Sequence, residues 1–519
     1  MKIIKTHEDD LDSLSEWEMY QTYNGLDCLV TQDVFNSISP QLDEHTSATY
    51  AFSKALQGPT LEMRIRGVLV DQARRMEVID QLFEQSEVLE HNLNKIVLDG
   101  CGLATFNWRS NVDLQNLFYR VLGLKPITRA GKPTTDIKAR EKLGRHPIAT
   151  QIVKHINTLS ELGDKISVLR TANDPDGRIR TSYNIAGTST GRFSSSLSEF
   201  GTGGNLQNIE ESLRSIFIAD PGFKFAKCDA KSGESYCVGA VEWNRFSDGR
   251  YLDAVESGDV HTAVARIVWP GLGWTNDLRS DKAIAEQPFY RNHSYRFMCK
   301  KLGHGSNYNG QPANLAEQAN LDEPIVAEFQ RKYFAAFPAH RQWQADVDAR
   351  LRKLGHLISL TGRKRWFFGR RSNPATLREA IAYDPQCSLA DIVNRAMLNI
   401  WRERTALIVM TDHDAITFMY REEDEERLIP ILLRELVVPV QLSGGRTLTI
   451  PYDVETGWNK GHYCCGNRTN GVCHESGKEC TRDANPDGLR SWTGSDPRKR
   501  QPLRGLLDSI VQKRIAGVR

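Results

Sequence analysis

Apolar residues recur at mixed three- and four-residue spacing over Ser13–Asn36 and Tyr50–Ile65, a period that predicts amphipathic helices. Met76–Leu98 places Ile79, Leu82, Phe83, Val88 and Leu89 on one stripe and predicts a long helix. Helices are also predicted over Asn111–Leu122, Ala149–Leu169, most of residues 245–345, and Ala380–Arg404. Lys125–Thr135 is basic, is broken by Gly131 and Pro133, and predicts a loop. Arg178–Gly187 reads as strand running into a turn, and Leu357–Phe368 as a hairpin. Two short apolar runs, Phe223–Ala230 and Ala406–Asp414, read as buried strands that each stop at an acid. No internal repeat interrupts this mixture of helices and strands.

Composition narrows the class. The 519 residues are 40% apolar and 25% charged, a balance that fits a folded, soluble, multi-domain protein and not a disordered chain. No apolar run of about 18 residues is present, which argues against a membrane span. The N-terminus, with Glu8, Asp9 and Asp10 close behind Met1, lacks the apolar stretch of a signal peptide. Ten cysteines are too few for a disulfide scaffold of this length, so a reduced, cytoplasmic protein is expected. The net charge of +2 hides an asymmetry: from Lys460 onward twelve Lys/Arg face six Asp/Glu. That segment is rich in Gly, Asn, Asp and Pro and closes on a predicted amphipathic helix, Leu503–Ile515, beside the basic cluster Arg498-Lys499-Arg500 and Arg504. It reads as an appendage, dispensable for the body of the chain, that contacts nucleic acid or an acidic partner.

The chemistry begins at the strand tips. Asp229 ends the first apolar strand and Asp414 ends the second. Side by side, two such strands would bring both carboxylates within reach of shared Mg²⁺ ions, hard cations that favour carboxylate oxygens and keep waters for substrate phosphates. Each Asp taken alone reads more often as a turn former. Arg296 and Lys300 are four residues apart on a predicted helix and share a face that can clamp a polyphosphate. By itself that pair reads as a solvated basic face.

Together these elements resemble motifs A, B and C of family A DNA polymerases. Asp229-Ala-Lys-Ser-Gly-Glu234 is similar to motif A; Arg296, Lys300 and Tyr308 keep the motif B intervals; His413-Asp414-Ala415 stands where motif C reads His-Asp-Glu. Thr190-Gly191-Arg192-Phe193-Ser194-Ser195 with Asn205-Leu206-Gln207-Asn208-Ile209, then Gly258-Asp259-Val260-His261, Arg378, Gln386–Ile392 and Gly457–His462 resemble further family segments in the family's order. The resemblance covers about residues 15–462.

It implies an α+β, multi-domain right hand with an antiparallel-sheet palm, helical fingers and a helical thumb. The implied spans are an exonuclease remnant over 1–50, a thumb over 51–170 with the palm edge at its start, and palm with motif A over 171–245. Fingers with motif B follow over 246–350, palm with motif C over 351–462, and the basic, Cys-containing appendage over 463–519. The implied reaction is template-directed addition of dNTPs to a primer 3′ hydroxyl. Asp229, Asp414 and the carbonyl of Ala230 would hold two Mg²⁺ ions, with Mn²⁺ as a substitute. Arg296, Lys300, His261, His304 and Tyr308 would bind the dNTP, and Lys300 would donate a proton to the leaving pyrophosphate. Glu234 with Tyr308 would exclude a 2′ hydroxyl. Arg192, Asn205, Gln207, Asn208, Arg378, Gln386 and His413 would touch primer–template DNA.

The sequence departs from the family at three places. Ala415 replaces the motif C Glu, His304 replaces an aromatic residue, and Asn309 precedes Gly310 after Tyr308, where Asn tolerates a positive φ. Tyr23-Asn-Gly-Leu-Asp27 resembles the third motif of the family's 3′–5′ exonuclease domain, so a separate exonuclease chain or a replication accessory protein is an expected partner. Cys464, Cys465, Cys473 and Cys480 form a candidate zinc set, although no C-x₂-C pair is present; free thiols are the alternative. Two rival functions stand beside the polymerase reading: a single-subunit RNA polymerase and an inactive DNA-binding relative. Host cytoplasm is the expected location for a phage-encoded chain.

Overall fold

The computed structural model describes residues 14–494 except 276, 292, 470, 476–479 and 481. It is an α+β structure in two compact units. One comprises the chain up to Ala55 together with Val264–Ser388; the other comprises Leu56–Ala263 and the chain from Leu389 onward.

The second unit is built around a five-stranded sheet. Its strands are β1 (Phe223–Ala230), β2 (Leu407–Asp412), β3 (Ala415–Arg421), β4 (Tyr452–Gly457) and β5 (Arg490–Ser491). They lie in the order β2-β3-β1-β4-β5, and each neighbouring pair is antiparallel. β1 is a central strand, and its Phe225, Ala226 and Cys228 are fully buried. Its one buried charge, Lys224, is neutralised by Glu425 at 2.5 Å.

After β1 the chain turns through Ser232 at φ 52° into the helix Gly233–Phe246. This helix meets Arg250–Glu256 at Gly239, where a Cβ would stand 2.8 Å from the Leu252 backbone. Gly239→Ala is therefore expected to destabilise the chain by roughly 1–3 kcal/mol, overpacking outweighing the better helix propensity of Ala. Urea unfolding of the two proteins measures the difference.

The same unit holds a helical module in which Gln72–Cys101 and Pro147–Leu169 run together. Asp71 caps the first helix by accepting from the Arg74 amide, and Gly102 ends it in the left-handed region. Leu93, Val97, Phe118, Ile152, Ile156 and Leu159 close the core between them.

The first unit is mainly helical. Tyr295–Asn307, Pro312–Ala319, Glu323–Ala336 and Ala339–Leu354 surround the buried Tyr333 and Trp343, and the hairpin His356–Ile358/Lys364–Trp366 follows. Glu16–Ile38 starts from a Ser15/Glu18 capping box.

Four expectations need correction. Tyr50–Ile65 is not one helix; Leu56 separates Glu44–Ala55 from Gln57–Arg66. Lys125–Thr135 is not all loop: Thr128–Arg129 pairs with Lys132–Pro133 because Ala130 and Gly131 both take positive φ, as a tight hairpin turn demands. The helix predicted from Ala380 begins at Pro374 and runs through Pro385 to Glu403. The C-terminal segment is not wholly an appendage, since β5 is the edge strand of the central sheet. The helix read over Leu503–Ile515 and the cluster Arg498–Arg500 with Arg504 lie outside the described residues.

Candidate active site

The two acid-tipped strands do meet on one sheet, with β3 between them. Ala415 of β3 registers opposite Asp229 of β1, and Asp412 pairs with Ala415 around a two-residue turn. That turn is His413-Asp414, with His413 at φ 56°. The Ala230 amide donates to the Asp414 carbonyl at 3.2 Å, tying the turn to the end of β1.

Lost hydration is the largest influence on both carboxyls and pushes both above the ordinary range; each is also raised by a neighbouring acid, Asp414 acting on Asp229 and Glu234 on Asp414. Lys227 opposes this at Asp229, and Arg192 at Asp414. The Arg192 guanidinium grips Asp414 at 2.9 and 3.0 Å and reaches Glu234 at 2.8 Å. Two acids brought together at one sheet end are a fitting donor set for hard divalent cations. Among the described residues, no three His, Cys, Asp or Glu side chains already converge on a metal position.

Acids around this pair are sorted by their partners. Asp412, directly before the turn, is bound to the buried Lys460 and is not available to replace the missing motif C Glu. Glu455 faces Lys227 at 3.4 Å. Asp453 on β4 registers opposite Asp229, on the flank away from Ala415. Sequence reasoning missed both Asp453 and Lys460. The Tyr-Asp-Val-Glu-Thr alternation of β4 was the available signal for Asp453, but the pairing of β4 with β1 is a long-range fact.

The other expected contacts fall in several places. Asn205 caps the turn Leu206–Asn208 by accepting from the Gln207 amide at 3.1 Å, and the buried Gln207 reaches Thr411 at 3.5 Å. Both are already used within the protein, whereas Asn208 is exposed. His261 begins Val260–Val268, its amide bonded to Asp259 at 3.2 Å.

In the other unit, Arg296, Lys300, His304 and Tyr308 follow the accessible side of Tyr295–Asn307 and its end, opposite buried Met298, Cys299 and Leu302. Arg296 lies 3.5 Å from Glu286, and the His304 and Tyr308 rings meet edge-on at 5.1 Å. Asn309 has φ 58°, as its tolerance for that region led us to expect. Behind this turn, Gln344 donates to the Ser306 and Asn307 carbonyls and Gln330 to Gly310. Arg378 is exposed and Gln386 half-buried on Pro374–Glu403.

The four cysteines named as a candidate zinc set lie close to one another in space. Cys464 lies 3.8 Å from Cys480 and Cys465 lies 3.5 Å from Cys473, as two pairs. No cluster of three or more candidate ligands occurs among the described residues.

A sheet end carrying two acids, both raised above their ordinary range, defines a candidate phosphoryl-transfer site, and comparison with known proteins gives its family. The model of DNA polymerase family A matches residues 76–463, well over half of the chain, so this chain belongs to that family. It is 25% identical over 427 residues to DNA polymerase I of Geobacillus stearothermophilus, covering 77% of this chain and 44% of that protein. It is 23% identical over 514 residues to the DNA polymerase of Escherichia phage T5, covering 88% of this chain and 57% of the relative. The chain thus spans about half the length of these relatives. Among solved structures, the POL domain of Pol1 from M. smegmatis, in complex with DNA primer-template and dNTP, matches with a TM-score of 0.62 at 21% identity. That match covers 78% of this chain and 69% of the other. These relatives are DNA polymerases and lend no support to the RNA-polymerase alternative. Among the described residues, no helix is long and apolar enough to cross a membrane.

Proposed function

We propose that the chain is a template-directed DNA polymerase that joins dNTPs to a primer 3′ hydroxyl, in replication or repair. The observation that carries this reading is the joint placement of Asp229 and Asp414 at one end of the sheet in a chain of this family. Two divalent ions, when bound, neutralise charge on the attacking and leaving oxygens. Asp229, Asp414 and the Ala230 carbonyl would hold them. Arg296, Lys300 and His261 grip the triphosphate, and Lys300 protonates the departing pyrophosphate. His304 and Tyr308 line the nucleotide. Arg192, Asn208, Arg378, Gln386 and His413 are assigned to primer and template; Asn205 and Gln207 shape the loop that presents them. Catalysis on this scheme is positioning and charge neutralisation.

Arg192, which holds Asp414 here, would have to share that carboxylate with a bound cation and would then be free to contact nucleic acid. Asp453 adds negative charge beside Asp229 that the motif C position, now Ala415, does not provide. Asp453→Asn is expected to raise the Mg²⁺ concentration required for half-maximal extension by several-fold, because one unit charge near a surface is worth on the order of 1 kcal/mol. An unchanged Mg²⁺ dependence removes Asp453 from the site.

Glu234 is assigned the exclusion of ribonucleotides. Glu234→Ala is expected to raise the ratio of ribonucleotide to deoxyribonucleotide incorporation by roughly 10- to 100-fold, the range in which shape alone discriminates a hydroxyl. It should also lower the overall rate, since Arg192 loses a partner. Competition between the two nucleotides in single-turnover extension reads both effects. The Tyr23–Asp27 motif gives one acid on Glu16–Ile38. The chain by itself is expected to release no mononucleotides from single-stranded DNA, and release abolished by Asp27→Ala contradicts this.

A further inference from the structure

Polymerase chemistry leaves the four cysteines beyond β4 unused. None of the four is in a disulfide; Cys464 lies 3.8 Å from Cys480 and Cys465 lies 3.5 Å from Cys473. A zinc site draws four donors to about 2.3 Å from one point, and among the described residues no three His, Cys, Asp or Glu side chains do so. Cys464 and Cys465 are adjacent in sequence yet turn to different partners.

The backbone around the pairs is organised. Cys464 and Asn485 exchange two backbone hydrogen bonds, at 2.9 and 3.1 Å. Val472–Cys473 pairs with Arg468–Thr469, and the Cys480 amide donates to the Gly471 carbonyl at 2.8 Å. Cys464 and Cys473 are buried, while Cys465 and Cys480 are half-buried, so each pair has one member that solvent reaches.

We propose that this segment is a thiol–disulfide modification site in which Cys464–Cys480 and Cys465–Cys473 form two disulfides by exchange with a small disulfide such as oxidised glutathione. In each pair the accessible thiolate, Cys480 or Cys465, attacks one sulfur of the reagent. One glutathione thiolate leaves and a mixed disulfide forms. The buried partner then attacks the protein sulfur of that mixed disulfide and expels the second glutathione thiolate. Per pair, two protein S–H groups are oxidised, one glutathione disulfide is reduced, and the two protons reside on two glutathione thiols. Burial pushes the Cys464 thiol upward, consistent with its acting second.

The consequence lies in the sheet. The stapled segment connects β4 to β5, which pairs with β4 at Glu455–Ser491 and Thr456–Arg490. Cross-links within that connection reduce the freedom of the detached segment and hold β5 on the sheet edge.

The test uses the full chain, equilibrated over a series of reduced-to-oxidised glutathione ratios and then alkylated and peptide-mapped without reduction. Because Cys464 and Cys465 share a peptide, Cys464→Ser and Cys465→Ser are mapped alongside. Cys465→Ser should retain the Cys464–Cys480 link with Cys473 alkylated; Cys464→Ser should retain Cys465–Cys473 with Cys480 alkylated. In the doubly linked wild type, amide exchange of Arg490 and Ser491 should slow by at least about tenfold, well within what closing such loops can supply. Exchange that is unchanged on double linkage contradicts the clamp. Links between other partners, the absence of links in a folded chain at every ratio, or a purified chain with one zinc that shields all four thiols overturns the proposal.

Discussion

Asp229→Asn and Asp414→Asn should each lower the rate of primer extension by roughly 10³-fold or more, the equivalent of the several kcal/mol of charge stabilisation that bound divalent ions supply. Either change leaves the ions with one anionic side chain fewer at the shared end of β1 and the turn after β2. Primer–template affinity should change little, since Lys and Arg contacts to phosphates dominate it. Stability should move in the opposite direction to activity. Both carboxyls are raised in the folded chain, chiefly by lost hydration, so their ionised forms oppose folding in the absence of cations. Their unfavourable contribution is therefore present at neutral pH and lessens as pH falls through the raised folded values. Asp229→Asn should unfold at equal or higher urea concentration than the wild type without Mg²⁺. Asp414→Asn gains less, because Arg192 then loses its carboxylate partner. Equilibrium urea unfolding at neutral pH, with and without Mg²⁺, separates the two effects.

Truncation after residue 462 should destabilise the sheet by about 3 kcal/mol or more, at roughly 1 kcal/mol or above for each buried hydrogen bond left without its partner. The cut removes β5. It also removes Asp487, whose carbonyl accepts from the Trp458 and Asn459 amides at 2.8 and 3.1 Å. Asn485 goes with it, and the paired amides of Asn459 and Asn485 exchange bonds of 2.7 and 3.0 Å. Buried Leu489 is lost as well. A chain ending at Gly494 keeps every one of these contacts and should unfold like the full chain. Thermal unfolding of the two truncated chains decides the matter. Equal stability for both would return residues 463–494 to the status of an appendage.

Local chemistry was the legible part of this protein. Phe223–Ala230 reads as a short strand carrying Phe223, Phe225, Ala226 and Cys228 ahead of an acid, and the structure gives those bounds. Asn309 was readable at positive φ because that tolerance belongs to the residue itself. Pairing across hundreds of residues was not legible. Nothing in the composition of Arg490–Ser491 marks an edge strand, and its two residues take their role from Glu455 and Thr456 opposite. Arg192 was read as a nucleic-acid contact, yet here it holds Asp414 and Glu234, a placement that needs three distant segments at once. Asp412 shows the same lesson from the other side. It stands directly before the turn, and only the fold reveals Lys460 against it.

The central claim is templated DNA synthesis dependent on the Asp229–Asp414 pair. The most direct measurement is single-nucleotide primer extension by the full chain with Mg²⁺, each of the four dNTPs and four rNTPs being offered singly opposite each template base. The account predicts that the complementary dNTP is added, that the matching rNTP and mismatched nucleotides are added far more slowly, and that Asp229→Asn abolishes addition. Extension that ignores the template base, preference for rNTPs, or full activity in Asp229→Asn would contradict it.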